Sequence, residues 1–343
     1  MSARKDIFLP SGYLDFERIM KFPEPFLFVV GARGVGKTYG VLKYCVEKRE
    51  KFIYSRRTQK QIDLINTPEM NIFKPYNMDA GTEILPVKTG AGLYAYRESA
   101  GGKEYGVNMA LSTFANFRGF SAADVSVWIY DEFIPEASER PIRNEGAAFL
   151  NAYETINRNR ELNGAEPVKV VCLANSNTID NPLFMELQII DPVYRAQKSG
   201  AGEYVDQKRG VRVILVTASP VSEAKKDTAL YRLTAGTSFA EMAVENKFSD
   251  VGLQETSSRN LSEYVLHTAI GEICIYKHKS RKEYYVTGHR SGATARDYSL
   301  SDTDLERFRR NCWPVWMAYL SYRVIFERVS FELIFCRYFG GRT

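Results

Sequence analysis

The apolar positions of this chain follow two patterns. Short, nearly unbroken runs recur at Phe26–Val30, Lys51–Ser55, Val125–Tyr130, Val168–Leu173 and Val211–Val216. Runs apolar at successive positions, not at every second one, belong to strands buried on both faces of a parallel sheet. Between them the spacing becomes helical. Val41, Leu42, Cys45 and Val46 share one face, and Phe149, Leu150, Tyr153 and Ile156 share another within Glu145–Glu161. Asn163-Gly164 then supplies a stop. Alternating strands and helices predict an α/β fold with a central, mostly parallel sheet. Residues 80–114 differ: short strand-like segments broken by Gly90, Gly92, Gly101 and Gly102 predict a β-rich insertion. Residues 1–24 read as a lead-in with a short helix near Asp15–Lys21.

The pattern loosens over Leu233–Gly252. Beyond it, Tyr264–Leu266, Glu272–Tyr276 and Glu283–Thr287 predict a β-meander, Ser301–Arg310 a helix, and Trp313–Phe339 a long aromatic-rich helical region. The expected organisation is a larger α/β domain over 1–232, a linker over 233–252 and a smaller α+β domain over 253–343. A length of 343 residues suits two domains.

Composition narrows this little. The net charge of +5 requires any nucleic-acid contact to be local. The five cysteines form no CxxC pair, which predicts reduced, mostly buried thiols in a cytosolic setting, and the three histidines form no zinc spacing. MSARKDIF lacks the apolar core of a signal peptide, and no apolar run would span a bilayer, so no membrane partner is expected.

The chemistry concentrates at the ends of the apolar runs. Gly31-Ala32-Arg33-Gly34-Val35-Gly36-Lys37-Thr38 fits the phosphate-loop pattern, directly after one strand and before a helix. Gly31 and Gly36 would let the backbone wrap a phosphate. The loop N–H groups would face its oxygens, Lys37 would reach the β- and γ-phosphates, and Thr38 would ligate Mg2+. A glycine turn without a ligand is the plain alternative. The third strand ends in Asp131-Glu132, so one carboxylate could support Mg2+ and the other take a proton from water. Alternatively the pair caps the next helix. Asn175 ends the following strand, placed to orient water or sense the γ-phosphate. Arg56 and Arg57 end the second strand, either facing a ligand or simply solvated. Arg158 closes a helix, where it would offset the dipole or reach a neighbouring subunit. Lys277, Lys279, Arg281 and Lys282 crowd one hairpin, as DNA contacts or as a solvated turn.

In order along the chain, GARGVGKT, FIYSRR, IYDEF, NRNRE, CLANS and RLTAGTSFAEMAVENKF resemble the DNA-encapsidation ATPases of small tailed phages, the phi29-like podoviruses. The resemblance weakens after about residue 255. It implies an additional-strand, catalytic-glutamate (ASCE-type) P-loop ATPase domain and a C-terminal domain like a degenerate ribonuclease-H fold that binds DNA or the portal. It also implies a pentameric homo-oligomeric ring that uses ATP and Mg2+ to move double-stranded DNA. The ring would dock on the portal of a procapsid in the host cytoplasm during assembly and be absent from the mature virion. A packaging RNA is left open. By position, Arg158 matches the arginine offered to the next subunit's ATP. Arg118 stands where the phi29-type pattern has lysine, also at the subunit boundary. Arg56 and Arg57 match the family's basic pair. The meander strands carry only Glu272 and Glu283, too few acids for a two-metal nuclease. Two rival readings remain, a helicase-like or repair ATPase and a non-enzymatic DNA- or portal-binding scaffold. A GTPase is disfavoured by the lack of Asn-Lys-x-Asp.

Overall fold

The computed structural model describes residues 7–90, 92–99, 102–117, 122–136, 139, 142–175, 178–216, 219–225, 227–234, 237, 253 and 256–340. Arg118 and most of the expected linker over 233–252 lie outside the described residues. The chain divides into two units, 1–187 with 195–249, and 188–194 with 250–343.

The apolar runs of the first unit become strands of a nine-stranded sheet. In chain order these are β1 (Phe26–Gly31), β2 (Phe52–Arg56), β3 (Ile84–Gly90), β4 (Leu93–Glu98), β5 (Glu104–Ala110), β6 (Val127–Asp131), β7 (Lys169–Ala174), β8 (Glu203–Asp206) and β9 (Val211–Val216). Their spatial order is β3-β4-β5-β2-β6-β7-β1-β9-β8. From β5 to β9 every neighbouring pair is parallel. Antiparallel pairs occur only at the edges. Residues 80–114 are therefore not a separate insertion. β5 pairs in parallel with β2, Phe52 opposite Gly106, and extends the main sheet. At Gly106 an added Cβ would lie 2.4 Å from the Phe52 carbonyl oxygen, so only glycine permits that approach.

Two apolar faces cover the sheet. On one, Val41, Leu42 and Cys45 of the helix Lys37–Lys48 pack with Leu27, Val29, Tyr54 and Ile129. On the other, Phe149 of the helix Glu145–Asn157 stacks on Trp128 at 4.8 Å and on Tyr130 at 5.8 Å. That helix ends at Asn157, four residues short of the expected Glu161. Arg158 adopts φ 48° and ψ −134°, which breaks the helical path. Asn157 Oδ1 accepts from Val168 N at 2.8 Å, fastening the helix end beside the start of β7.

The second unit holds a five-stranded sheet, β13-β10-β11-β12-β14. β10 (Tyr264–Ile270), β11 (Ile273–His278) and β12 (Tyr284–Thr287) form the expected antiparallel meander. β13 (Asp297–Tyr298) lies parallel to β10, and β14 (Val324–Phe326) parallel to β12. β14 corrects the expectation of one helical region over Trp313–Phe339. The helix Trp313–Leu320 stops, Tyr322 turns at φ 54°, β14 follows, and a second helix runs over Val329–Phe339. Val324 and Phe326 are fully buried, so β pairing completes a core that a continuing helix would leave open. Among the described residues, no helix is long and apolar enough to cross a membrane.

Candidate active site

The loop after β1 narrows a cleft of about 460 Å³ at the C-terminal ends of β1, β6 and β7, where ligands gather in open α/β sheets. Gly34 and Gly36 take φ 79° and 83°, values that favour glycine. Gly31 serves differently. An added Cβ there would lie 2.6 Å from the Val216 Cβ on β9, so its bareness permits packing, not turning. Lys37 opens the following helix and is 9% exposed. Its Nζ donates to the carbonyls of Gly31 at 2.8 Å and Ala32 at 2.7 Å, and to Asn175 Oδ1 at 3.1 Å. The ammonium is thus held at the floor of the loop. Arg33 pairs with Glu136 at the cleft's lining.

Asp131 ends β6 and is 3% exposed. Its Oδ2 accepts from Thr38 Oγ1 at 2.8 Å and from Tyr54 OH at 2.6 Å, and its Oδ1 from Glu132 N at 3.0 Å. Glu132 leaves the strand at φ 56°, a conformation uncommon for a side-chain-bearing residue. The next residue holds that turn. Phe133 N donates to Leu173 O at 3.2 Å, and its ring lies 5.5 Å from Phe28 and 5.6 Å from Phe184. Glu132 Oε2 accepts from Arg56 Nη1 at 2.9 Å. Burial raises the Glu132 pKa above the usual carboxylate range; Arg56 opposes this, and Asp131 adds to it.

The cleft therefore gathers Gly34, Gly36, Lys37, Thr38, Asp131, Glu132 and Asn175. Sequence reading missed Tyr54, a buried tyrosine in an apolar run, whose hydroxyl is invisible to a hydropathy pattern. Arg57 corrects an expectation. It is fully buried, with Nε and Nη2 gripping both oxygens of Glu145 at 2.8 and 2.7 Å and Nη1 on Glu139, so it cannot touch DNA or a neighbouring subunit. A guanidinium sealed from water requires such partners. Arg158 is exposed at the helix end beside the start of β7, away from the cleft. In the second unit, Lys277 lies exposed on β11 and Lys282 exposed in the following turn. Lys279 donates to Ser262 O at 2.6 Å and Arg281 to His278 Nε2 at 2.9 Å.

In this α/β unit a strand-loop-helix segment carrying Lys37 and Thr38 is thus set against the strand end that carries Asp131, with Glu132 just beyond it. Residues 4–312 match the podovirus DNA encapsidation protein (Gp16) family model, and the chain belongs to that family. The DNA packaging proteins of Bacillus phages phi29 and PZA are each 28% identical over 244 residues, covering 70% of this chain. The match spans 65% of their length, just under two thirds. The DNA packaging protein of Bacillus phage B103 is 27% identical over 304 residues, 85% of each chain. A chain of the bacteriophage Phi-29 viral genome packaging motor assembly shares the fold with a TM-score of 0.69 at 21% identity, over 96% of this chain and 98% of that one. A chain of the Phi-28 gp11 DNA packaging motor does so at 0.61 and 19%, over 96% and 99%.

Proposed function

We propose that this chain is the ATP-hydrolysing subunit of a homo-oligomeric ring that drives double-stranded DNA into a phage procapsid. The observation that carries it is the meeting of Lys37, the Thr38–Asp131 pair and Glu132 in one cleft, in a member of the encapsidation family. Lys37 meets the β- and γ-phosphate oxygens, and the loop N–H groups share them. Thr38 and Asp131 offer oxygen donors only, which suits Mg2+, and the ion bound there would neutralise charge on the phosphates. Glu132 takes the proton of the attacking water, whose oxygen bonds to the γ-phosphorus as the bond to ADP breaks. Asn175, in contact with Lys37, senses the γ-phosphate. That β7 stands between β1 and β6 supports the additional-strand type of ATPase. The β10–β12 meander with β13 parallel to β10 supports a degenerate ribonuclease-H reading of the second unit, which would bind DNA or portal.

Arg158 acts in trans. Its own cleft lies at the other end of β7, a six-residue strand spanning about 20 Å. Asn157 is fastened at the near end, which supports a role for the exposed Arg158 toward a neighbouring protomer's ATP in a closed ring. The ring would be pentameric and docked on the portal.

Packaging of DNA into purified procapsids, with ATP turnover measured in parallel, tests the reading. Wild type should package and Lys37→Ala should do neither. Turnover without packaging favours a helicase-like ATPase, and DNA binding without turnover favours a scaffold. Arg158→Ala alone should lose about 1,000- to 100,000-fold in turnover. Mixed with Glu132→Gln it should regain activity, because the Glu132→Gln subunit lends its arginine to a neighbour with an intact base. Mixed rings without rescue return Arg158 to a helix-end role.

A further inference from the structure

Tyr54 is the middle residue of β2, paired with Ile129 of β6, and is fully buried. Its ring belongs to the apolar cluster beneath the helix Lys37–Lys48, where phenylalanine would fill the same space. Packing therefore accounts for the ring and not for the hydroxyl. That hydroxyl donates to Asp131 Oδ2 at 2.6 Å, within the range of a charge-assisted bond. The Tyr54 hydroxyl oxygen itself accepts from Arg56 Nε at 3.2 Å. Arg56 lies two residues on, on the same strand face, and its other arm holds Glu132 at 2.9 Å. One phenol oxygen thus links the carboxylate beside Thr38 to the guanidinium that grips the second carboxylate.

We propose that Tyr54 is a positioning residue that holds Asp131 toward the metal site and keeps Arg56 on Glu132, an assignment that rests on the ATP-hydrolysing reading above. Asp131 Oδ2 has two hydroxyl donors, Thr38 and Tyr54. If Thr38 turns its oxygen toward a cation, Tyr54 stays hydrogen-bonded to Oδ2, with Arg56 Nη2 at 3.7 Å from that oxygen and Glu132 N on Oδ1. Partners of this kind, one shell outside a metal, are typically worth 10- to 100-fold in metal affinity or activity.

The test uses the full-length protein carrying Tyr54→Phe, with Tyr96→Phe as the control. Tyr96 is also fully buried, but its hydroxyl meets Asn108 at 2.8 Å. Mn2+ is titrated by electron paramagnetic resonance in the presence of a non-hydrolysable ATP analogue. ATP turnover is followed against Mg2+, and thermal melting is recorded. Tyr54→Phe should weaken Mn2+ binding about 10- to 100-fold and raise the Mg2+ half-saturation in step. Tyr96→Phe should leave both unmoved. Combined with Asp131→Asn, Tyr54→Phe should add little further loss, because both changes act through one carboxylate. Unchanged Mn2+ affinity, an equal effect in the control, or additive losses would each overturn the proposal. A Tyr54→Phe protein that fails to fold overturns it too, by assigning the hydroxyl to core stability. Wild-type protein that turns over no ATP would instead sink the ATP-hydrolysing reading.

Discussion

Arg56 and Arg57 are chain neighbours that belong to two opposed clusters, each made of a tyrosine, an arginine and acidic residues. On one side of the strand ends, Tyr54, Arg56, Asp131 and Glu132 gather. On the other, Tyr130, Arg57, Glu139 and Glu145 do. The Arg57 and Glu145 side chains are both 0% exposed and joined at both oxygens, whereas Arg56 and Glu132 are 18% and 44% exposed. The sealed cluster pins β2 to the first turn of the helix Glu145–Asn157, where a carboxylate also suits the helix dipole. The open cluster leaves a carboxylate at the edge of a cleft. The same residue types make a closed ion pair where water is excluded and leave a carboxylate open to solvent where it is admitted.

Exchanging glutamate for glutamine in each cluster tests that contrast most strongly. Glu132→Gln should cost about 100- to 10,000-fold in ATP turnover, since an amide accepts no proton from water. Its melting point should hold or rise, because burial already disfavours the ionised carboxylate. Calorimetry and a turnover assay read both, and a loss under about tenfold would point to another base. Glu145→Gln should do the opposite. It leaves the buried Arg57 with the partly exposed Glu139 as its remaining carboxylate partner, at up to about 3–5 kcal/mol of stability, which corresponds to a melting point lower by on the order of 10 °C. Unchanged melting would mean that the closed ion pair does not stabilise the fold.

A smaller effect concerns pH. The folded-state pKa of Glu132 is raised, so the folded protein gains stability from this group as pH falls through that pKa, and activity is lost over the same window. The acid limb of kcat/KM for ATP should therefore sit above the ordinary glutamate value of about 4.3. Arg56→Met removes the group that opposes the shift and should move the limb further up. A limb that moves down would show that Arg56 is not what lowers it.

The smallest effect belongs to charges with neither a sealed partner nor a cleft. Neutralising Lys277, Lys279, Arg281 and Lys282 together should leave melting nearly unchanged. It should lower the salt slope of duplex-DNA binding by about 0.9 for each phosphate that the hairpin no longer neutralises. A filter-binding titration over salt with the same slope would leave the hairpin as solvated surface.

The elements of the first unit were legible because their signals are local. Five apolar runs, each several residues long, announced the parallel strands, and the glycine loop between a run and a helical spacing announced the cleft. Lys37, Thr38, Asp131 and Glu132 were readable for the same reason, since each lies at a fixed offset from a strand end. Other features depended on partners distant in sequence. Nothing in Arg56-Arg57 says which side chain meets Glu132 and which meets Glu145, 76 and 88 residues on. Arg56 is the last residue of β2 and Arg57 the first beyond it, and only the neighbours at the end of β6 and on the helix beyond it decide which is buried. Tyr54 read as one more apolar position until β6 placed a carboxylate beside its hydroxyl. β14 was hidden because three apolar residues fit a helix as well as a strand, and pairing with β12 settled the choice. The sequence by itself determined where the cleft-lining polar groups lie along the chain and which strand ends carry them. The tertiary structure alone decided which charges meet water, because burial and pairing depend on contacts that no local pattern encodes.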